Sequence, residues 1–150
     1  LKEKDTAAVA ELLNKLVADL NVLYTKVRNA HWNVEGADFH AQHLFFEGIY
    51  EGLAETIDEV AERVRAIGHY SVGSLKEFLD LTQLAEEEPT KNDSQSYIKI
   101  LLNDYESIII TLRENIQITE KHGDAATEDF FIEIMASFEK TAWMLRSHLK

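Results

Sequence analysis

The sequence predicts an all-α protein, and three observations support this fold class. One proline and six glycines in 150 residues leave few positions that would interrupt a helix. Apolar residues recur at alternating spacings of four and three over long stretches, which is the period of an amphipathic helix. Few segments show the valine- and threonine-rich alternation of strands. The length fits a single domain, residues 1–150, with room for a sizeable core.

Charge and composition exclude several functions. The formal net charge of −12 repels phosphate backbones and gathers cations, so tight DNA binding at physiological salt is not expected. The absence of cysteine excludes disulfides, thiolate metal sites and a cysteine nucleophile, and it agrees best with a cytoplasmic protein. No apolar run approaches the roughly 20 residues that span a bilayer, and no signal-peptide pattern opens the chain, so no membrane association is expected.

The first half of the chain predicts a hairpin of two long helices. The first covers residues 6–33, with Asp5 or Thr6 as its N-cap, and the second runs from its cap Asp38 to about Ile67. An unbroken apolar seam follows each helix. The seams are Val9, Leu13, Leu16, Leu20, Leu23, Val27 and Ala30 in the first helix, and Phe46, Tyr50, Leu53, Ile57, Val60, Val64 and Ile67 in the second.

A long connection, residues 69–93, follows this hairpin and contains a short helix. Ser74 and Glu77 form a capping-box pattern, which predicts a helix as far as about Leu81. Three glutamates and a proline at 86–89 prevent the helix from continuing.

Two more long helices complete the chain. Asp93 or Ser94 caps the third, which ends at 122–123, and Thr127 caps the fourth. Four long helices with one long middle crossover match a ferritin-like bundle. The predicted buried stripes are Tyr97, Ile100, Leu101, Tyr105, Ile108, Leu112, Ile116 and Ile118 or Thr119 in the third helix, and Phe130, Ile134, Phe138, Thr141 or Ala142, and Leu145 in the fourth.

One face of the second long helix carries residues that could bind a metal. At about 100° per residue, five imidazole and carboxylate side chains fall within one arc. This mixture suits iron, manganese or zinc and disfavours copper(I), although a solvated acidic face is the alternative interpretation. The five are His43, Glu47, Glu51, Asp58 and Glu62.

The spacing of these residues predicts a site shared between two subunits. His31, at the end of the first helix, can lie level with His43, and Asp58 and Glu62 are one turn apart. His43 and Asp58, however, are separated by about 22 Å along the helix, whereas metal–ligand bonds measure about 2.0–2.2 Å. A two-fold axis near residues 51–52 would bring His43 opposite the partner's acids and create two equivalent sites.

Two further features bear on this prediction. Gly48 and Gly52 either allow backbones to approach near such an axis or are ordinary tolerated glycines. None of the six histidines has glutamate three residues before it, so the Glu-x-x-His pairs of an intrasubunit di-iron centre are absent.

The motif around the first turn is similar to that of a known family. The run His31-Trp32-Asn33-Val34-x-Gly36, followed by Phe39, His43, Phe46-Glu47, Tyr50, Asp58, Glu62-Arg63 and Ile67-Gly68, resembles the Dps family of miniferritins over essentially the whole chain. The resemblance implies a dodecameric homo-oligomer that oxidises Fe(II) with hydrogen peroxide in preference to dioxygen, and stores Fe(III) mineral. It implies His31, His43, Asp58 and Glu62 as catalytic ligands of a mono-iron or di-iron ferroxidase centre between subunits, with Glu47 as a further metal ligand.

Other residues receive roles with open alternatives. Trp32 and Trp143 could donate electrons, or they could pack in the core. Asp124, Glu128 and Asp129 stabilise the dipole of the last helix, or, as the resemblance implies, line pores that draw in iron. The orientation of Glu51 and Glu55, and the role of His40, are left open.

Two alternative functions remain beside the ferroxidase. One is a DNA-protecting structural protein, although the lysine-rich tails of some family members are nearly missing here. The other is an acidic helical oligomer that binds zinc or no metal.

Overall fold

The computed structural model describes residues 1–86 and 89–150, and its helices follow the predicted order. They are α1 (Glu3–Asn33), α2 (Phe39–Ala66), α3 (Leu75–Leu81), α4 (Ser94–Lys121) and α5 (Ala125–Ser147). The predicted all-α fold with a short helix in the long crossover is confirmed. The predicted break at 86–89 includes Glu87 and Glu88, which lie outside the described residues.

The bundle consists of two hairpins that share one apolar core. Helix α1 packs along α2, helix α4 packs along α5, and α1 also contacts α4. All seven predicted seam positions of α1 are buried. In α2 four seam residues are fully buried, while Tyr50, Ile57 and Ile67 are partly buried and pack against the core. None of the helices in the described ranges combines the length and apolar character that crossing a membrane requires.

The N-terminal ends of α1 and α5 differ from the predicted caps. Helix α1 begins at Glu3 with Lys2 in the cap position, because the Asp5 and Thr6 amides already donate to the Lys2 carbonyl at 3.0 and 3.1 Å. Helix α5 begins at Ala125, and Asp124 rather than Thr127 is its N-cap, accepting from the Thr127 amide at 3.0 Å.

The stripes of α4 and α5 also differ in detail from the prediction. Phe131 is fully buried, whereas Phe130 is only partly buried. Of the pairs left open, Thr119 is buried instead of Ile118, and Ala142 is buried instead of Thr141.

Two charged side chains on α1, the buried Asp19 and the partly buried Lys26, hold the crossover against the bundle. The Asp19 carboxylate accepts from the Thr82 hydroxyl at 2.6 Å, the Gln83 amide nitrogen at 2.9 Å and the Gln83 side chain at 3.1 Å. Two turns further on, Lys26 Nζ donates to the Ala85 carbonyl at 2.7 Å. The same ammonium pairs with Asp104 on α4, also at 2.7 Å. These contacts fix the path of the chain before α4.

Candidate metal centre

The turn between α1 and α2 brings two histidines together. The Val34 amide closes α1 on the Ala30 carbonyl at 3.0 Å, and Gly36 reverses the chain with φ of +125°, a value that favours glycine. Phe39 then begins α2. Because this connection is short, the last helical turn of α1 faces the first helical turn of α2.

His31 and His43 form a closely packed pair. Their rings stack with centroids 3.8 Å apart and an interplanar angle of 14°. Each Nδ1 lies 2.7 Å from the main-chain carbonyl oxygen of the other residue. A carbonyl oxygen only accepts, so both Nδ1 atoms carry the proton and donate. In the neutral rings both Nε2 atoms therefore keep a free lone pair, which is the tautomer that a metal ligand needs.

Glu47 extends this pair by one carboxylate. It lies one turn after His43 on α2, and its Oε1 is 3.9 Å from His31 Nε2. The imidazole is buried to 6% exposure, whereas Glu47 is partly exposed. The carboxylate can therefore turn towards an ion held by the imidazole nitrogen.

Asp58 and Glu62 form a second, separate group near the other end of α2. Both side chains are exposed. The negative charge of Asp58 raises the pKa of Glu62 above its usual value, and a hydrogen bond with Asp58 acts in the same direction. Two carboxylates that repel each other in this way favour a cation between them.

The protomer does not bring these two groups together. Among residues 1–86 and 89–150, no three histidine, aspartate or glutamate side chains cluster closely enough to hold a metal ion. The imidazole pair and the acid pair lie at opposite ends of α2, separated by about 22 Å of helix. Each protomer thus presents two incomplete half-sites, one formed by His31 of α1 with His43 of α2 and the other by Asp58 and Glu62 of α2.

Comparison with known proteins identifies the family. A family model described as a ferritin-like domain matches residues 10–150. The chain is 40% identical over 139 residues to the DNA protection during starvation protein of Helicobacter pylori, which covers 93% of this chain and 96% of that protein. It is 38% identical over 141 residues to DNA protection during starvation protein 2 of Bacillus anthracis, covering 94% and 96%.

The chain belongs to the Dps family of ferritin-like proteins.

A solved structure extends this finding to the fold. The Dps protein of Vibrio cholerae superposes with a TM-score of 0.96 at 29% identity, covering 100% of this chain and 94% of that one. That protein is described as a member of a broad superfamily of ferritin-like diiron-carboxylate proteins. The family resemblance expected from the motif of the first turn is therefore confirmed.

The three acids near the start of α5 lie in different environments in this Dps-family chain. Asp124 is buried to 4% exposure, and its carboxylate accepts from the Thr127 hydroxyl at 2.6 Å and from Arg63 at 3.4 Å. Glu128 is partly exposed and Asp129 is exposed. Asp124 thus stabilises the helix start, while a pore role for these acids stays a prediction.

The two tryptophans are exposed on the Dps-family protomer. Trp32 is 61% exposed and Trp143 is 59% exposed, so core packing within the protomer is wrong for both. Their role as electron donors stays a prediction.

The glycines and glutamates on the remaining face of α2 border a groove beside α5. An added Cβ at Gly48 or Gly52 meets nothing within 4 Å in the protomer. Glu55 lines the groove, whereas Glu51 is exposed outside it.

Sequence reasoning missed two arginines of this family member. Arg63 follows Glu62 and donates to Thr127 Oγ1 at 2.9 Å, across 64 positions of sequence. No local pattern could reveal such a contact. Arg28 lies over the rings beside His31. The spacing of Tyr24, Arg28 and Trp32, four residues apart, could have indicated this cluster.

Proposed function

We propose that this protein is a ferroxidase and an iron store. It oxidises Fe(II), preferentially with hydrogen peroxide, at sites that two subunits share, and it keeps the Fe(III) mineral inside a dodecameric cage. His31 and His43 of one subunit act with Asp58 and Glu62 of the next, and Glu47 takes part as a further ligand. Membership of the Dps family supports the fold and the kind of protein on which this proposal rests.

One observation carries the proposal: the reciprocal hydrogen bonds of His31 and His43. Because each Nδ1 donates to a carbonyl, both rings are fixed in orientation and both Nε2 atoms are available. Imidazole nitrogen and carboxylate oxygen are a suitable donor set for iron, and hard oxygen donors favour the oxidised ion. Both imidazoles are thus already in the tautomer and orientation that binding of Fe(II) requires.

The residues divide the chemistry between them. The imidazoles and carboxylates bind the ferrous ions and leave room for the oxidant. Peroxide takes one electron from each of two ferrous ions and, with two protons, leaves as two molecules of water. The negative charges of the carboxylates stabilise the more highly charged ferric product.

A subunit-mixing experiment tests the shared site. His43→Ala and Asp58→Asn are each expected to abolish most peroxide-driven oxidation of Fe(II), followed as the rise in ferric absorbance. Equal amounts of the two inactive variants are unfolded, mixed and refolded together. In a mixed dimer one site has both parts altered and the other has neither, so random pairing restores about a quarter of the native sites.

Two results would reject the shared site. If every site lay within one subunit, the mixture would stay as inactive as its components. Glu59→Gln is the matched control, because Glu59 is an exposed acid beside Asp58 on another side of α2. Loss of activity in this control would assign the effect to general charge.

Protection of DNA is the second candidate function, since two relatives are named for it. The charge of −12 argues for indirect protection through the removal of iron and peroxide rather than for direct binding. A gel-shift titration of plasmid DNA at neutral pH and low salt tests this. No shift is expected, and a strong shift would favour a DNA-binding protein.

A zinc-binding or metal-free helical oligomer is the remaining alternative. Absence of Fe(II) oxidation by the native protein, with either peroxide or dioxygen, would favour this alternative.

A further inference from the structure

Arg28 lies against three aromatic rings at once. Its guanidinium carbon is 4.4 Å from the centroid of the Tyr50 ring, 5.2 Å from that of Trp32 and 5.5 Å from that of Tyr24. Its Nη1 also donates to the Tyr24 hydroxyl at 2.7 Å, which fixes the guanidinium in this position. The cluster joins three turns of α1 to α2.

Two of these rings adjoin the proposed iron site. The Tyr50 ring contacts the His31 ring edge to face, with centroids 5.1 Å apart. Trp32 follows His31 directly in the chain. Tyrosine and tryptophan are the aromatic side chains that lose an electron most readily, so any one-electron oxidant released there meets them early.

A cation over an aromatic face makes that ring harder to oxidise. The positive charge is attracted to the electron-rich face of the neutral ring. Removal of one electron leaves a positively charged ring, so the attraction is replaced by repulsion between like charges. The neighbouring guanidinium therefore stabilises the neutral ring over its radical cation.

We propose that Arg28 protects the rings of Tyr50 and Trp32 from one-electron oxidation during iron turnover. The inference rests on the proposed function, which supplies the oxidant. Arg28 protects the rings and does not bind the iron. Its charge disfavours the electron-donor role that was predicted for Trp32.

The side reaction that Arg28 opposes starts from one ferrous ion and hydrogen peroxide. When a single Fe(II) passes one electron to hydrogen peroxide, the products are Fe(III), hydroxide and a hydroxyl radical. That radical takes an electron from the Tyr50 ring, forming hydroxide, and the oxidised phenol then releases its O–H proton to solvent, which leaves a phenoxyl radical. From Trp32 it takes an electron, forming hydroxide, and the oxidised indole then releases its N–H proton to solvent.

Trp143 provides an internal reference. Its exposure of 59% nearly equals the 61% of Trp32, and no arginine or lysine lies over its ring among the described residues. The two side chains thus have similar exposure in the protomer, but the guanidinium of Arg28 lies over the ring of Trp32. Trp143 should be oxidised before Trp32 when both are equally accessible.

The first experiment uses the assembled, metal-free protein. The azide radical, a one-electron oxidant, is generated by pulse radiolysis, and peptide mass spectrometry measures oxidation at Trp32, Trp143 and Tyr50. Acrylamide quenching in variants with a single tryptophan (Trp32→Phe or Trp143→Phe) measures the access to each ring. After correction for access, Trp32 is expected to react at least about threefold more slowly than Trp143. The reason is that the guanidinium of Arg28 and the positively charged, oxidised ring repel each other even at a high dielectric constant.

Variants of Arg28 separate charge from shielding by bulk. Arg28→Gln removes the charge and should raise oxidation of Trp32 and Tyr50 to the level of an unprotected ring. Arg28→Lys exposes the edges of the rings about as much as Arg28→Gln does, but it keeps the positive charge. Oxidation of Trp32 and Tyr50 in this variant should therefore stay near the native value. Equal increases in both variants, or equal reactivity of Trp32 and Trp143 in the native protein, would overturn the proposal. The comparison of Trp32 with Trp143 uses the native protein, so it tests the proposal even if an Arg28 variant folds poorly.

A second arm adds Fe(II) and hydrogen peroxide in repeated cycles. Arg28→Gln should accumulate oxidised Tyr50 and Trp32 while the initial rate of iron oxidation stays native. No iron oxidation in native protein, together with a positive metal-free result, would reject the proposed function alone. Normal iron oxidation with no effect of Arg28→Gln on either ring would reject the protective role alone.

Discussion

Asp19 illustrates how a single buried charge can organise a loop. Its carboxylate is only 3% exposed, yet three donors from the crossover satisfy its two oxygens. The donors belong to Thr82 and Gln83, more than sixty positions away in sequence. These hydrogen bonds thus replace the ones to water that Asp19 and the crossover lose when the crossover packs on α1.

Replacement of Asp19 by alanine should destabilise the protein by about 1–3 kcal/mol, because the Thr82 hydroxyl and the Gln83 main-chain amide, both in partly buried contacts, lose their acceptor. The free energy of unfolding in urea measures this. Glu11→Ala is the control, since Glu11 on the same helix is 70% exposed and makes only a surface ion pair with Lys15. That variant should change stability by less than about 1 kcal/mol. Equal losses in the two variants would contradict the anchoring role of Asp19.

At the scale of the element, α3 depends on its cap. The helix has seven residues, none of them buried, and of these only the partly buried Phe78 packs against the core. The Ser74 hydroxyl accepts from the Glu77 amide at 3.3 Å, and the Glu77 carboxylate accepts from the Ser74 amide at 3.2 Å. These hydrogen bonds satisfy donors that the short helix would otherwise leave open.

Ser74→Ala should therefore destabilise α3 locally by about 1 kcal/mol. Amide hydrogen exchange over 75–81 is expected to accelerate about fivefold, while exchange in α1 stays unchanged. Lys76→Gln removes the exposed ion pair with Asp80 in the same helix and should have little effect. An equal acceleration in that variant would assign the effect to surface charge and not to the cap.

The N-terminal turn of α1 is linked to the end of α4 by a titratable contact. His122 Nδ1 lies 2.8 Å from Asp5 Oδ1, and this hydrogen bond holds the pKa of Asp5 below its ordinary value. A carboxyl group with a lowered folded pKa stabilises the protein above its unfolded pKa. That contribution is lost as pH falls through the lower, folded value.

Asp5→Asn should consequently lower stability at pH 5–7, and the difference from the native protein should begin to shrink as pH falls below about 4 and disappear once pH is below the lower, folded pKa. Urea unfolding midpoints at a series of pH values measure this difference. A difference that stays constant down to pH 3 would show that the ionised carboxylate is not responsible.

The sequence predicted elements well wherever one amphipathic period determines them. The α1 seam from Val9 to Ala30 is buried without exception, because an unbroken period of four and three leaves one choice of face. In α5 the adjacent Phe130 and Phe131 gave two possible faces about 100° apart. Packing against the other helices selects Phe131, and no local rule contains that information.

Caps and site contacts depended on partners distant in sequence. Asp124 and Thr127 are both good N-cap residues three positions apart, and the arginine that accompanies Asp124 comes from α2. The pairing of His31 with His43 followed from the hairpin, but their exchange of carbonyl hydrogen bonds requires the actual closeness of the two backbones. The shared site followed from the rise per residue alone and stays a prediction.

At the scale of the whole molecule, an ion held between two subunits would stabilise their association. A ligand that binds only the folded, assembled state adds about 2.7 kcal/mol at a concentration one hundred times its dissociation constant. Zinc is a suitable probe, because it accepts imidazole and carboxylate ligands and undergoes no redox change.

Addition of Zn²⁺ should therefore raise the apparent unfolding temperature of the native protein, and Asp58→Asn should remove most of this increase. Differential scanning calorimetry measures both. Glu55→Gln, which removes another exposed acid of α2, should respond to zinc like the native protein. Equal responses of the two variants would indicate general cation binding by an acidic surface.

The separation of imidazoles and acids on α2 has a consequence for the newly made chain. In a single folded subunit, the part of the chain that the structure describes contains no cluster of three side chains that could hold a metal ion. On the proposed arrangement, chemistry that handles peroxide and reactive iron begins only after pairing, when a container for the product is already being built. On the same arrangement, single subunits at low concentration would not oxidise iron.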